Sequence, residues 1–279
     1  MVGRLLKGLE DIIDLYQMDI AMGPQGWYFS GENGSLKEDP LHGFTTLLQL
    51  YQKADPDHAG GAGVPVLWDK KTDTLVNNDS SDILKMMYSS FDDMLPEKLR
   101  EENKPGGGLF PRQLRPQIGA MTGLIESIAG GVYRVGFARS QEQYSGGIKP
   151  LFDSLDAVEK QLSHGKRYLF GDHITDSDVK LYTTIVRFDV AYHPVFLCNL
   201  KYIRYDYPNI HLWLRRLYWA QDEEGELRGA FHRATEPFIG RYGEGYSYAR
   251  RRAVLGQGAP LIIPSGPKEL VVKLSDDEK

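Results

Sequence analysis

A proline at the head of an apolar run constrains this chain more than any other feature of its sequence. Residues Gly63-Val64-Pro65-Val66-Leu67-Trp68-Asp69 make a short strand-like run, a polar turn spans Asp69 to Asp73, and Thr74-Leu75-Val76-Asn77 make a second run. Asn78-Asp79-Ser80-Ser81-Asp82 then stand ahead of Ile83, Leu84, Met86 and Met87. That order predicts strand, hairpin strand, helix. Proline has no N–H for a sheet ladder, so Pro65 fits an edge, a first strand position or a cis bond that turns the Val64 backbone outward. An outward Val64 offers its N–H and C=O to a ligand. Asp79 and Ser80 fall where the helix begins, where free N–H groups and the positive end of the dipole receive a carboxylate, and Asp79 can pair with an ammonium. A backbone hook beside such a clamp suits a small zwitterionic peptide. The plain alternative is a hairpin and a capped helix that bind nothing.

Composition sets the outer limits. With 41% hydrophobic and 25% charged residues, the 279-residue chain reads as an ordinary soluble protein with room for one sizeable domain or two smaller ones. A net charge of −5 argues against a nucleic-acid partner held through its phosphates. No apolar stretch approaches the ~20 residues that cross a bilayer, and the start carries no secretory pattern, so no membrane partner is expected. The single cysteine, Cys198, excludes an internal disulfide and agrees with a reducing, cytoplasmic setting. The histidines are dispersed, so no metal site is expected.

Taken in order, Leu5, Leu6, Leu9, Ile12, Ile13, Leu15 and Tyr16 recur at helical spacing and predict an amphipathic helix with no capping sequence. Asp19-Ile20-Ala21-Met22 predicts a strand and Gly23-Pro24-Gln25-Gly26 a turn. Asp39-Pro40 predicts the start of a helix with Leu41, Phe44, Leu47, Leu48 and Tyr51 on its apolar face, stopped by Asp55-Pro56. Asp92 to Pro116 is rich in proline and glycine and reads as linker rather than core. From Gln117 the pattern is helical, with Ile118, Met121, Leu124, Ile125 and Ile128 on one stripe and Leu151, Leu155, Val158 and Leu162 on another. Thr175 as N-cap and Asp178 three residues on imitate a capping box, with Ile174 and Val179 at the staple positions. Tyr207-Pro208-Asn209 precedes a further helix carrying Leu212, Trp213, Leu217 and Tyr218. The last dozen residues, to Lys279, are expected to fray. These signals divide the chain into residues 1–92, a linker 93–116 and a helical part 117–279.

Longer strings carry a family resemblance. Leu6-Lys7-Gly8-Leu9-Glu10, Gly26-Trp27-Tyr28-Phe29, Leu50-Tyr51 with Ala54-Asp55-Pro56, Val64 to Lys71, Asn77 to Ser81, Val132 to Ala138, Arg167 to Asp172, Arg187-Phe188-Asp189 and Cys198-Asn199 together resemble the Xi class of the glutathione transferases, the glutathionyl-hydroquinone reductases. The resemblance runs from about residue 4 to about residue 218. It implies an α/β thioredoxin-like N-terminal domain joined to an all-α glutathione transferase C-terminal domain. It implies glutathione as co-substrate on Val64, Pro65, Asp79 and Ser80 with Trp27 as a wall, Tyr133 and Tyr192 against an aromatic or quinoid substrate, and it admits a homodimer.

In the resembled family a strand and a Cys-Pro-Trp motif precede the first helix, and that cysteine is the nucleophile. Met1 falls after this point, so the N-terminal domain is expected to be incomplete, lacking its first strand, in a truncated gene model or a degenerate relative. No catalytic residue is assigned. Gly61 and Gly63 stand where the family has an Arg and a Thr ahead of Val-Pro, and Phe231 to Leu255 departs from the family's His-Tyr-Tyr segment. The tyrosines at 242, 246 and 248 are candidates to line an aromatic pocket. Cys198, among Val195, Phe196, Leu197 and Leu200, reads as a buried structural thiol. The function so implied is reduction of a glutathionyl-hydroquinone, or conjugation of glutathione to an aromatic substrate, with tailoring of an aromatic polyketide in secondary metabolism as a variant. A catalytically inactive, transferase-like binding module is the alternative.

Overall fold

The computed structural model describes residues 1–220, 229–264 and 269–278. Helix α1, Val2–Leu6, is much shorter than the predicted segment to Tyr16. Gly8 turns the chain with a φ of 66°, and the Arg4 guanidinium takes the carbonyls of Glu10, at 2.9 Å, and Ile13. Those carbonyls have a side-chain partner in place of helical N–H groups, so apolar spacing alone does not extend the helix.

Asp19 to Met22 form no strand. The Asp19 carboxylate accepts from Ala21 N at 2.8 Å and from Ser30 Oγ, so a side chain takes the donor that a ladder would use. The turn at Gly23–Gly26 is present, closed by two backbone bonds of 2.8 and 3.1 Å. Asp39 caps only a turn, accepting from Leu41 N and His42 N, because Gly43 breaks the run at φ 70°. Helix α2 therefore spans Leu47–Ala54, entered through Thr46, whose N–H donates to Gln49 at 3.0 Å.

Strands β1, Leu67–Asp69, and β2, Thr74–Asn77, pair antiparallel, and helix α3, Ser80–Ser89, follows as the sequence predicts. The linker is better ordered than its composition suggests. It holds five short 3₁₀ turns between Asp92 and Leu114, and it buries Leu95 and Leu109. The Lys7 ammonium, fully buried, reaches Asp92 at 2.9 Å and Glu101 at 3.4 Å.

Helices α4, Arg115–Gly136, and α5, Gln141–Leu162, pack along each other, and α6, Asp176–Arg187, crosses against α4. The capping box forms as read. Asp178 accepts from Thr175 N at 2.9 Å and Thr175 Oγ1 at 2.8 Å, and also from Leu169 N at 3.0 Å and Trp213 Nε1 at 2.9 Å. A π-helical turn over Phe188–Tyr192 continues α6 into α7, His193–Val195. Then come α8, Ile203–Asp206, α9, Pro208–Trp219, α10, Ala230–Ile239, and α11, Tyr242–Arg250. The core runs through this helical part, with Ile128, Val132, Leu151, Leu155, Leu181 and Leu217 all buried. Each such side chain contributes ~1.5–3 kcal/mol by leaving water.

Asp176 at the start of α6 is one place where the parts are tied together. Tyr88 on α3 donates to Asp176, the first residue of α6, at 2.9 Å, and Asp176 N donates to the Leu109 carbonyl at 2.7 Å. The chain end does not fray over its described residues: Val271 is buried, Trp219 donates to the Val272 carbonyl, and Arg215 holds Glu278. Lys279 lies outside the described residues. No helix among the described residues is long and apolar enough to cross a membrane.

Candidate functional site

The hook at Val64 forms around a cis Val64–Pro65 peptide, with Val64 46% exposed. Across from it, Asp79 caps α3, and its Oδ1 accepts from Ser81 N and Asp82 N at 2.9 Å each. One carboxylate oxygen is thus committed to the helix, and Ser80 next to it is exposed. The sequence did not reveal what joins the two halves. The Tyr51 hydroxyl on α2 donates to the Gly63 carbonyl at 2.8 Å and accepts from Asn78 Nδ2 at 2.9 Å. One phenol therefore fixes the residue before Val64 against the residue before Asp79. Sequence periodicity had assigned Tyr51 only to an apolar helix face. Trp27, half-buried, is tied in through the same helix, since its carbonyl accepts from Leu47 N at 2.9 Å. Its indole has no ring contact or hydrogen bond to Val64, Asp79 or Ser80 among the described residues.

Tyr133 and Tyr192 do come together, through a third phenol. Tyr246 on α11 lies 2.8 Å from the Tyr192 hydroxyl and 3.2 Å from that of Tyr133. Tyr192 is buried, while Tyr133 is 40% exposed and forms the open end. Phe196 packs beneath all three rings, with centroids 5.7, 5.6 and 5.2 Å from Tyr133, Tyr192 and Tyr246. Gly136, one turn after Tyr133, allows this approach: a Cβ there would stand 2.2 Å from Phe196 Cγ. Burial pushes the Tyr192 phenol well up and Tyr246 up to about 12, with the Arg187 guanidinium pulling both the other way. The phenols are therefore neutral donors at physiological pH. Of the three C-terminal tyrosines, Tyr242 stacks on Arg187 and Tyr248 on Arg251, so only Tyr246 joins the chain. The four-residue spacing of Tyr242 and Tyr246 on one helix face was the available signal.

Cys198 is fully buried, its thiol donating weakly to the Val132 carbonyl at 3.8 Å, and burial pushes it up to about 12. A thiol so placed is neutral and out of reach.

The comparisons agree with this architecture. Residues 141–216 match the family model described as "Glutathione S-transferase, C-terminal domain". The chain is similar to "Glutathione S-transferase omega-like 2" of Schizosaccharomyces pombe, 41% identical over 238 residues, which are 85% of this chain and 72% of that protein. It is similar to "Glutathionyl-hydroquinone reductase PcpF" of Sphingobium chlorophenolicum, 36% identical over 273 residues, 96% of this chain and 78% of that one. Among solved structures, the glutathione S-transferase Xi from Phanerochaete chrysosporium superposes with a TM-score of 0.85 at 37% identity, covering 98% of this chain and 82% of that chain. With a hairpin and helix of thioredoxin-like type followed by an all-helical part, and with this likeness over nearly its whole length, the chain belongs to the glutathione transferases, in their Xi class.

Proposed function

We propose that the protein is an enzyme that uses glutathione on an aromatic, quinoid substrate. The observation that carries the reading is the hydrogen-bonded chain of the Tyr192, Tyr246 and Tyr133 phenols, which opens at exposed Tyr133, since a phenol hydroxyl at an open aromatic site suits the oxygen of a quinone. Glutathione would take Val64 by its backbone and Asp79 and Ser80 by its charged end, with Trp27 alongside; residues 1–92 would form the glutathione half and 117–279 the substrate half, joined by 93–116. A homodimer in a reducing cytoplasm goes with this reading.

Within it, conjugation suits this chain's own residues. The glutathione thiolate bonds to a ring carbon, the electron pair moves to the quinone oxygen, and that oxygen takes a proton; loss of the ring proton then gives the glutathionyl-hydroquinone. A tyrosine hydroxyl can stabilise the developing oxyanion. The name of the Sphingobium relative favours a second reading, reduction. There a thiol attacks the sulfur of a glutathionyl-hydroquinone, an S–S bond forms as the C–S bond breaks, and the ring carbon takes a proton. Cys198, fully buried against the Val132 carbonyl, does not fit the part of that thiol.

A paired assay tests both. The protein is given a quinone plus glutathione, and separately a glutathionyl-hydroquinone plus glutathione, and Tyr246→Phe is run beside it. Turnover in either arm that falls about ten-fold or more in Tyr246→Phe supports the reading. No turnover and no glutathione binding would return the chain to the inactive binding module.

A further inference from the structure

The inner end of the tyrosine chain is closed by a largely buried cation that no carboxylate among the described residues balances. The Arg187 guanidinium lies 4.9 Å from the Tyr242 ring centroid, its Nε is buried without a hydrogen-bond partner, and among the described residues no carboxylate pairs with it. The groups that face it are the phenols of Tyr246, Tyr192, Tyr242 and Tyr133, and the α-amino group of Met1 beside α1. All of these are neutral or positive. A buried charge in such company is costly unless an anion arrives.

The backbone makes the arrangement specific. Arg187 and Tyr192 are five residues apart across the π-helical turn Phe188–Tyr192, whose i→i+5 bonding sets both on one face. Tyr242 and Tyr246 are four apart on α11 and share a face in the same way. Arg187 therefore meets Tyr242, and Tyr192 meets Tyr246, as successive rungs between the two segments. Ordinary α-helical winding would present Ala191 instead of Tyr192. A cation at the inner end also orients the hydroxyls, because each O–H dipole is lowest with its oxygen toward the charge and its proton away. The protons then run outward, Tyr192 to Tyr246 to Tyr133, and half-exposed Tyr133 presents a donor at the open end.

We infer that this site takes its aromatic ligand as the aryloxide, with Arg187 as the positioning residue that supplies the balancing charge through the tyrosine chain. The inference rests on the quinoid-substrate reading and goes further, since it fixes the ionisation state of the ligand that binds.

The test uses 4-nitrophenol, whose ionised form is coloured and which titrates near neutrality, with the full chain. Bound to the wild type, its apparent midpoint should fall by about one pH unit or more. Arg187→Met should abolish that shift and weaken binding about ten-fold, while Arg187→Lys, which keeps the charge, should restore part of it. Glutathione affinity by calorimetry should stay equal in all three forms and reports a folded protein. A bound midpoint that is the same in the wild type and in folded Arg187→Met overturns the inference. So does a wild type that binds a neutral quinone but not 4-nitrophenol. Failure to bind either ligand removes the quinoid reading as well.

Discussion

The hydroxyl of Tyr51 donates to the carbonyl of Gly63 across 2.8 Å, and the same oxygen accepts from Asn78, so the cis peptide and the start of α3 share one anchor. Tyr51→Phe keeps the ring against His58 and removes both bonds. Each net bond contributes ~1 kcal/mol to stability, so a melting temperature lower by several degrees is expected, together with about ten-fold weaker glutathione binding by calorimetry as the cis peptide and the start of α3 lose their common anchor. Unchanged affinity would separate the anchor from ligand binding.

At the opposite side of the hook, Ser80→Ala should cost ~1.5–3 kcal/mol of glutathione affinity if its hydroxyl meets a charged group of the tripeptide. Asp79 needs two substitutions, because its Oδ1 caps α3. Asp79→Ala should lower stability by ~1 kcal/mol as well as affinity, whereas Asp79→Asn should keep the cap and lower affinity alone. Equal affinity in Ser80→Ala and Asp79→Asn would move glutathione elsewhere.

Gly136→Ala should break the tyrosine chain from a distance. The added methyl would stand 2.2 Å from the Phe196 ring, which is fully buried and cannot swing away freely. Overpacking of this kind costs ~1–3 kcal/mol. The expected result is a loss of turnover with the aromatic substrate larger than any loss of glutathione affinity. Equal losses of both would mean a general loss of fold.

Cys198→Ala should leave turnover unchanged and lower stability by ~1 kcal/mol, since it removes a buried sulfur from an apolar setting. Turnover that disappears in this variant would make Cys198 the reactive thiol.

The chain end should respond to acid. Hydrogen bonds from Arg215 and then Ser275 hold the Glu278 carboxyl down, from 4.5 to about 2. A depressed carboxyl contributes stability that is full above its unfolded value and lost as pH falls through its folded one. Protection of residues 269–278 against hydrogen exchange, measured relative to the intrinsic rate at each pH, should therefore fall as pH drops from about 4.5 toward 2. In Glu278→Gln that fall should vanish and the segment should already be loose at neutrality.

What the sequence made legible were features with strong local chemistry. The Val64-Pro65 run, the hairpin, the Asp79 cap and the Thr175–Asp178 box each depend on residues within a few positions of one another, and each formed. The misses arose where a distant or side-chain partner overrode periodicity. Arg4 took carbonyls that a longer α1 would have used, Asp19 replaced a ladder donor, and Gly43 ended a turn that looked like a helix start. For the site, Tyr133 and Tyr192 were legible through the family resemblance, but their meeting depends on Tyr246, more than fifty positions after Tyr192. Arg187 was legible only as part of the Arg187-Phe188-Asp189 string of the resemblance, because its place beside the tyrosines depends on a π-helical turn that no spacing rule reveals.

The buried ammonium of Lys7 makes the joint between the N-terminal segment and the linker readable by chemistry. Its side chain is 0% exposed and lies between Asp92 and Glu101, while Lys104 closes over it onto the Leu6 carbonyl at 2.6 Å. An amine-acylating reagent needs an accessible amine, and this one is reached only when the joint opens. The rate at which Lys7 is acylated, set against that of exposed Lys149, therefore counts opening events at that joint in the native protein.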